Sequence, residues 1–453
     1  MKQYFIETYG CQMNKAESAA LEVIFRERGW SPAESPESAA LVLINTCSVR
    51  ITAENRAWGR IDHFAALKRE RAQAGGSGPA LVVTGCMAER MKREIKERQP
   101  AVDYVVGTFQ KQAFGLVLDA VAAGRALGDI EESPAFVFAK SYYEPGSFRS
   151  FLPIMHGCDN FCTYCIVPYL RGRETSRKPE DILSELDALE DSGVREVTLL
   201  GQNVNSYRYK GTASGGEALD LDFPALLRLV ARHLKERGRG GIRWIRFLTS
   251  HPKDLSDDLV AAIAEEELFC RHIHLCVQSG SDRILKAMNR KYDTAYYLSL
   301  VERLKSAIPG LTLSTDLLVG FPGETEEDNE LTLGLMRRVG FSYAYMYHYN
   351  PREGTPAATM PGRVAEKVKK ARLARVIELQ KEISRRLMES RVGAVEEVLV
   401  EGVSRRRKSE VLARTQADEM VVFPAPASRV GGFARVRLLS LSGNTFKAEE
   451  VEP

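Results

Sequence analysis

Short runs of uninterrupted apolar residues alternate with stretches of helical apolar spacing along most of the chain. KQYFIETYG reads as a short strand ending in Gly10. From Ala16 to Arg28 apolar residues recur at helical spacing, and Gly29 stops the helix. LVLINT, Leu41 to Thr46, and ALVVTG, Ala80 to Gly85, have the all-apolar character of strands buried on both faces. DYVVGT predicts a fourth strand, followed by a helix. Strands alternating with helices imply a doubly wound parallel α/β domain over residues 1–130. Residues 131–149, with Pro134, Pro145 and several aromatics, read as a linker.

Strand–helix alternation resumes over residues 150–388. FLPIM, EVTLLG, WIRFLTS, HIHLCVQSG, LSTDLLVGFPG and YAYMYHYNP are the strands, and Pro179 to Ser192 is one of the helices between them. Six βα units predict an open, partial (βα)6 barrel, short of the eight that close one. An amphipathic helix spans Ala365 to Glu389. Residues 389–453 then change character. VEEVLVEGVS, EVLARTQ, EMVVFPA, GGFARVRLLSLSG and NTFKAEEV are short alternating strands between Gly and Pro turns, which predicts a small antiparallel β-barrel. The fold class is therefore multidomain α/β with a terminal β module.

The 453 residues are 44% hydrophobic and 27% charged, an ordinary globular composition. MKQYFIETYG is no signal peptide, and no stretch has the apolar length of a membrane span, so a cytoplasmic protein is expected. The net charge of +3 announces no nucleic-acid partner. Its distribution is more informative. Between Arg363 and Lys408 lie Lys369, Lys370, Arg372, Arg385, Arg386, Arg391 and the run Arg405, Arg406, Arg407, Lys408. Such a series is either a phosphate-binding face or a solvated helix surface.

Six of the eight cysteines carry the chemistry. Cys158, Cys162 and Cys165 sit on one loop, HGCDNFCTYC. Three thiolates can hold three irons of a 4Fe–4S cubane and leave the fourth open to a small molecule, whereas electron-carrying clusters take four. Zinc would require a fourth ligand, and His156 stands at an unusual spacing for one. Disulfides do not suit a protein without a secretion signal. Cys11, Cys47 and Cys86 each follow the end of a predicted parallel strand, in TYGCQMN, INTCSVR and TGCMAER. Ligands bind beyond the carboxyl ends of such strands, so these three converge as a candidate second cluster with its own open iron. Three small buried residues are the alternative. Cys276 reads as a core residue. His272 and His274 alternate on its strand, and packing with hydrogen bonding explains them better than metal ligation.

The Cys-x3-Cys-x2-Cys spacing of the HGCDNFCTYC loop resembles that of the radical S-adenosylmethionine (SAM) enzymes, which implies SAM at the open iron, and polar, glycine-rich strand ends suit its charged amino-acid end, ribose and adenine. Gln202, Asn203, Ser250, Gln278, Ser279, Gly320, Gly323 and Glu324 all fall there, beside His251. Thr325 with Glu326, Glu327 and Asp328 is an N-cap and acidic first turn, a capping feature before a catalytic one.

GCQMN, NTCSVR, GCMAER, GCDNFCTYCIVPYLRGRE, LLGQNVNSY, SHPKDL, VQSGSDRILKAMNR, STDLLVGFPGETEED and NPREGTPA together resemble the motifs of the methylthiotransferases, a family of radical SAM enzymes. LVEGVSRRRKSEVLARTQADEMVVFPA resembles the TRAM domain, an RNA-binding β-barrel. LLGQNVNSY, the VPY after the last cluster cysteine and the opening of the barrel are similar to the MiaB type. That resemblance implies 2-methylthiolation of N6-isopentenyladenosine at position 37 in the tRNA anticodon loop. It implies SAM and two 4Fe–4S clusters, with the radical generated at Cys158, Cys162 and Cys165 and sulfur methylated at Cys11, Cys47 and Cys86. It also implies a monomer that takes electrons from a flavodoxin or ferredoxin and contacts the anticodon stem-loop. Arg171, Arg173, Arg177, Arg405, Arg406, Arg407, Lys408 and Arg414 are the expected RNA contacts. Two departures stand out: Cys276 replaces a usual Pro, and Ala413 precedes Arg414 and Thr415 where Gly is usual. Methylthiotransferases of threonylcarbamoyladenosine or of a ribosomal-protein aspartate remain alternatives, as does a non-catalytic iron–sulfur RNA-binding protein.

Overall fold

The computed structural model describes residues 2–48, 51–128, 136–138, 146–212, 216 and 218–451, so most of the expected linker 131–149 lies outside the described residues. At the N-terminus a five-stranded parallel sheet runs in the order Ser31–Pro32, Gln3–Tyr9, Leu41–Thr46, Ala80–Gly85, Tyr104–Val106. Every residue of the central Leu41–Thr46 strand is buried. Val42 and Ile44 pack on Ile61 and Phe64 across one face, and Leu41 and Leu43 on Phe25 and Phe114 across the other. That two-sided burial is why the strand is apolar without alternation.

The helix after the first strand starts at Gln12, four residues ahead of the apolar spacing. The Asn14 side chain accepts from the Cys11 amide at 3.2 Å and closes a capping box, so the polar first turn is helical. A 23-residue helix, Ile51–Gln73, follows the central strand, and Cys86–Arg98 follows the next.

Six parallel strands form the central barrel in sequence order. Arg149–Pro153, Glu196–Leu200 and Trp244–Phe247 make one half, and His272–His274, Thr312–Val319 and Tyr343–His348 the other. Parallel bridges Ile245↔Phe269 and Ser250↔Leu275 join them. One large core, including Leu199, Ile245, Ile273 and Leu317, lies between the strands and their helices. A hairpin, Arg208–Thr212 with Ala218–Asp222, is an excursion that the periodicity does not announce. The helix Glu366–Glu389 lies against the last strand, and its Val376 and Ile383 join the same core.

Five strands close the C-terminal barrel in the order Val395–Val403, Glu410–Thr415, Met420–Pro424, Thr445–Glu450, Phe433–Ser442. Its pairings are antiparallel except Met420–Pro424 with Thr445–Glu450, which is parallel and corrects the wholly antiparallel expectation. This barrel docks on the amino ends of the central strands. Arg246 donates to the Thr415 carbonyl at 2.9 Å and to Glu196 at 3.0 Å, and Gln416 Oε1 accepts from the Arg271 amide. Trp244 meets Phe433 edge-on at 5.0 Å. Arg149 bridges Glu196 and Glu401 across the same junction.

Candidate functional site

The strand–helix junctions of the N-terminal sheet place its three cysteines. Cys11 is the N-cap of Gln12–Glu27, Cys47 follows the Leu41–Thr46 strand, and Cys86 opens Cys86–Arg98. Helix N-termini favour negative charge, which suits thiolate ligands. Cys11 and Cys47 are hydrogen-bonding neighbours, and that bond, with the Arg171 charge, draws the Cys11 thiol down to about 6 against its burial. Cys86 packs against Ile166 and Leu170, residues just beyond the other cysteine loop. The two triads therefore face each other across the short helix Val167–Arg171.

Arg171 ends that helix and is 3% exposed. It donates to Glu17 at 2.8 Å. Burial opposes its charge, yet Cys86, Glu17 and Cys11 hold the guanidinium firmly protonated. Arg171 Nη2 is buried without a hydrogen-bond partner among the described residues. On the far side Arg352 approaches Glu54, which also binds Arg90 at 2.7 Å, and Arg90 reaches Ser48 beside Cys47.

In the second triad, burial pushes the Cys158 thiol up to about 11. Cys165 is pushed up to about 12 by burial and then by Cys162. Arg290 works against this rise at Cys165. It donates to Cys162 Sγ at 3.3 Å, to the Cys276 carbonyl at 2.7 Å and to the Tyr292 hydroxyl at 2.9 Å. Neither Arg290 nor Arg352 is singled out by sequence reasoning. Both lie in quoted motifs, MNR and NPREGTP, and only their three-dimensional neighbours give them roles.

The donor sets fit clusters. Cysteines are free of disulfides among the described residues. In neither triad do all three sulfurs lie within 4.8 Å of one another, the spacing of a single-ion site. A cubane is wider than one ion, holds three thiolates on three corners, and benefits from the buried cations beside each triad.

The strand ends above Cys158–Cys165 are polar, and the backbone there and around the cysteine loop is strained. Phe161, Thr249, Gln278 and Asn289 have φ of 45°, 70°, 71° and 59°, four of the five left-handed non-glycine residues among those described. Such strain collects at ligand sites. Gln202 Oε1 and Ser250 Oγ are buried without hydrogen-bond partners among the described residues, as atoms awaiting a ligand would be.

The other strand-end candidates have internal work. Asn203 donates to Asp254 at 2.7 Å and accepts from the His251 amide. Ser279 accepts from the Ser281 amide. Glu324 accepts from the Gly320 amide at 2.8 Å and from Arg372 at 2.9 Å, locking the loop through Gly323. Gly323, at φ 78°, donates to the Gly362 carbonyl at 2.7 Å. Thr325 caps Glu326–Val339 with Asp328, as its sequence signature predicts.

Several expected RNA contacts are placed elsewhere. Arg171 and Arg177 are buried, the latter on Glu185, so neither guanidinium faces a phosphate. Arg414 spans Glu401 and Asp418 at the barrel junction. Lys369 and Arg372, from the basic series, are buried against Tyr349 and Glu324. Arg173 is 75% exposed beside the cysteine loop, paired with Asp159. Arg405, Arg406, Arg407 and Lys408 are all exposed on the turn Ser404–Ser409, with Arg407 reaching Glu410.

Three family models match in register with this arrangement. Residues 3–107 match the uncharacterized protein family UPF0004, residues 152–336 the radical SAM superfamily and residues 389–449 the TRAM domain. The chain is 49% identical to the tRNA-2-methylthio-N(6)-dimethylallyladenosine synthase of Treponema denticola over 98% of this chain and 99% of that one. It is 43% identical to the synthase of the same name from Bacteroides fragilis, over 99% and 96%. Among solved structures, the radical SAM methyltransferase TsrM from Kitasatospora setae, with cobalamin and a 4Fe–4S cluster bound, aligns at a TM-score of 0.59. That likeness covers 79% of this chain and 77% of that one at 13% identity and speaks for the fold alone. With full-length relatives this similar, the chain belongs to the tRNA-2-methylthio-N(6)-dimethylallyladenosine synthase family.

Proposed function

We propose that this protein methylthiolates C2 of N6-isopentenyladenosine at position 37 of tRNA. The observation that carries the reading is the pair of three-cysteine sets meeting across Val167–Arg171, each with a buried arginine and no fourth cysteine. Full-length relatives named for this reaction agree with it.

Cys158, Cys162 and Cys165 would hold the radical-generating cluster, and Cys11, Cys47 and Cys86 the auxiliary one. When bound, the first cluster with SAM supplies one-electron cleavage and a hydrogen-abstracting adenosyl radical, and the second supplies sulfur. The chain's own residues do the rest. Arg290 and Arg171 set positive charge beside each triad, and burial of Cys47, Cys86, Cys158 and Cys162 keeps water from them. Gln202 and Ser250 offer unpaired polar atoms to the methionyl and nucleoside ends of SAM, and Gln278 offers a strained strand end. Adenine must leave its stack to reach this depth, and a single-stranded loop permits that at small cost. Arg173, Arg405, Arg406, Arg407 and Lys408 are the phosphate contacts in this reading.

The three functional units are residues 1–130, 150–388 and 389–453, with 131–149 linking the first two. No helix of the described residues is long and apolar enough to cross a membrane. We further infer a cytoplasmic monomer reduced by a flavodoxin or ferredoxin. Nucleoside mass analysis of tRNA from cells lacking the gene tests the substrate. Loss of 2-methylthio-isopentenyladenosine, restored by the gene, is expected. Loss of the threonylcarbamoyl counterpart would overturn it.

A further inference from the structure

Inside the barrel, two adjacent strands put four polar side chains on one face. His274 and Cys276 are two residues apart, as are Ser314 and Asp316, and His274 pairs with Ser314. Side chains at i and i+2 share a face. Among the described residues, His274, Cys276 and Asp316 are the one group whose potential ligand atoms all lie within 4.8 Å of one another.

Two of the three edges of this group have the length of a coordination polyhedron's edge. Asp316 Oδ2 lies 3.4 Å from His274 Nε2 and 3.3 Å from Cys276 Sγ. A tetrahedron with zinc–sulfur near 2.3 Å and zinc–nitrogen or –oxygen near 2.0–2.1 Å has edges of about 3.3–3.7 Å.

A hydrogen-bond chain fixes which imidazole nitrogen is offered. The Thr312 hydroxyl donates to the Arg271 carbonyl, so it accepts from His272 Nδ1 at 2.7 Å. His272 Nε2 lies 2.8 Å from Ser314 Oγ. His274 Nδ1 lies 2.9 Å from the same hydroxyl, so Nε2 is the His274 nitrogen turned toward Asp316 and Cys276. Metal-bound imidazoles are held in this way, with one ring nitrogen on an outer partner and the other on the ion.

Charge and access agree. A thiolate and a carboxylate neutralise a divalent cation, and the imidazole binds it by giving up its proton, as metal ligands do. His274 and Cys276 are 6% and 5% exposed, whereas the Asp316 side chain is 27% exposed toward the lumen.

We propose that His274, Cys276 and Asp316 bind one borderline divalent cation, with zinc the fitting ion, and leave a fourth position open to the barrel lumen. The site takes no ligand from either cysteine triad, with Arg290 standing between Cys276 and Cys162 of the second, and it does not depend on the substrate assigned above. It adds a ligand role to the packing and hydrogen bonding expected of His274 and the core role expected of Cys276.

The test uses the full chain with both clusters loaded, equilibrated with micromolar zinc. Metal analysis and zinc-edge X-ray absorption read zinc independently of iron. The expected result is one zinc per chain with a single sulfur near 2.3 Å and nitrogen or oxygen near 2.0–2.1 Å. Cys276→Ser should remove the sulfur scatterer, and it and Asp316→Asn should each weaken zinc binding about tenfold or more, with cluster absorbance unchanged. No retained zinc, or zinc surrounded by two or more sulfurs as in the cysteine triads, would overturn the proposal. The wild-type sulfur count decides even if a variant fails to hold its clusters.

Discussion

Arg171 donates to Glu17 at 2.8 Å, with side-chain exposures of only 3% and 6%. Each residue stands six positions after a cluster cysteine, Cys165 and Cys11. The pair joins the N-terminal sheet to the barrel at the place where the two triads face each other. It sets the distance between the two chemistries and places a cation beside the first triad.

Replacing Arg171 by Met should therefore damage stability and the auxiliary site together. Removing one partner of a buried ion pair costs about 3–5 kcal/mol, since Glu17 loses the guanidinium that balances its buried charge. Denaturant unfolding should register that loss, and iron analysis should fall toward one cluster per chain. The double change Arg171→Met with Glu17→Gln should recover much of the stability while the iron stays low. Recovery of iron as well would mean that Arg171 acts only through Glu17.

Acid should unfold the barrel partly through His272. Burial holds its pKa down to about 3, against about 6.5 in the unfolded chain. The unfolded state then binds an extra proton below pH 6.5, so this contribution to stability is complete above that value. It is lost progressively as pH falls from about 6.5 toward about 3. In His272→Gln the decline of unfolding free energy with acidification should be shallower by up to about 1.4 kcal/mol per pH unit. An unchanged slope between pH 6 and about 4.5 would show that His272 does not carry it.

The cysteine triads, the six-stranded partial barrel and the terminal β module were legible because each rests on local signals: strand runs, Cys spacing and turn residues. Partners brought together over long sequence distances were not. LRGRETSR looks like an exposed basic loop, yet Arg171 and Arg177 turn inward to Glu17 and Glu185. Arg414 lies in a motif of an RNA-binding module and is engaged by Glu401 and Asp418 where the barrels dock. Nothing in the spacing of arginines distinguishes a guanidinium that finds a carboxylate from one that stays in water. The start of the first helix was misplaced for a related reason, since a polar Asn14 cap has no hydrophobic period.

RNA affinity should separate the two kinds of arginine. Changing Arg405, Arg406 and Lys408 together to Ala should weaken binding of an anticodon stem-loop and flatten its salt dependence. Each lost phosphate contact removes about 0.7–0.9 from the slope of log affinity against log salt. Arg414→Ala should leave that slope unchanged and instead lower the unfolding temperature by loosening the barrel junction. Fluorescence anisotropy over a salt series reads the first effect and calorimetry the second. A steeper loss of slope in Arg414→Ala than in the triple variant would reverse the assignment.

The division of labour between the triads is most directly tested by comparing Cys162→Ala with Cys47→Ala in reconstituted enzyme, measuring 5′-deoxyadenosine and methylthiolated nucleoside side by side. Cys162→Ala should give neither product. Cys47→Ala should still cleave SAM but form no methylthio nucleoside. Equal loss of SAM cleavage in both variants, or methylthiolation surviving in Cys47→Ala, would contradict the account.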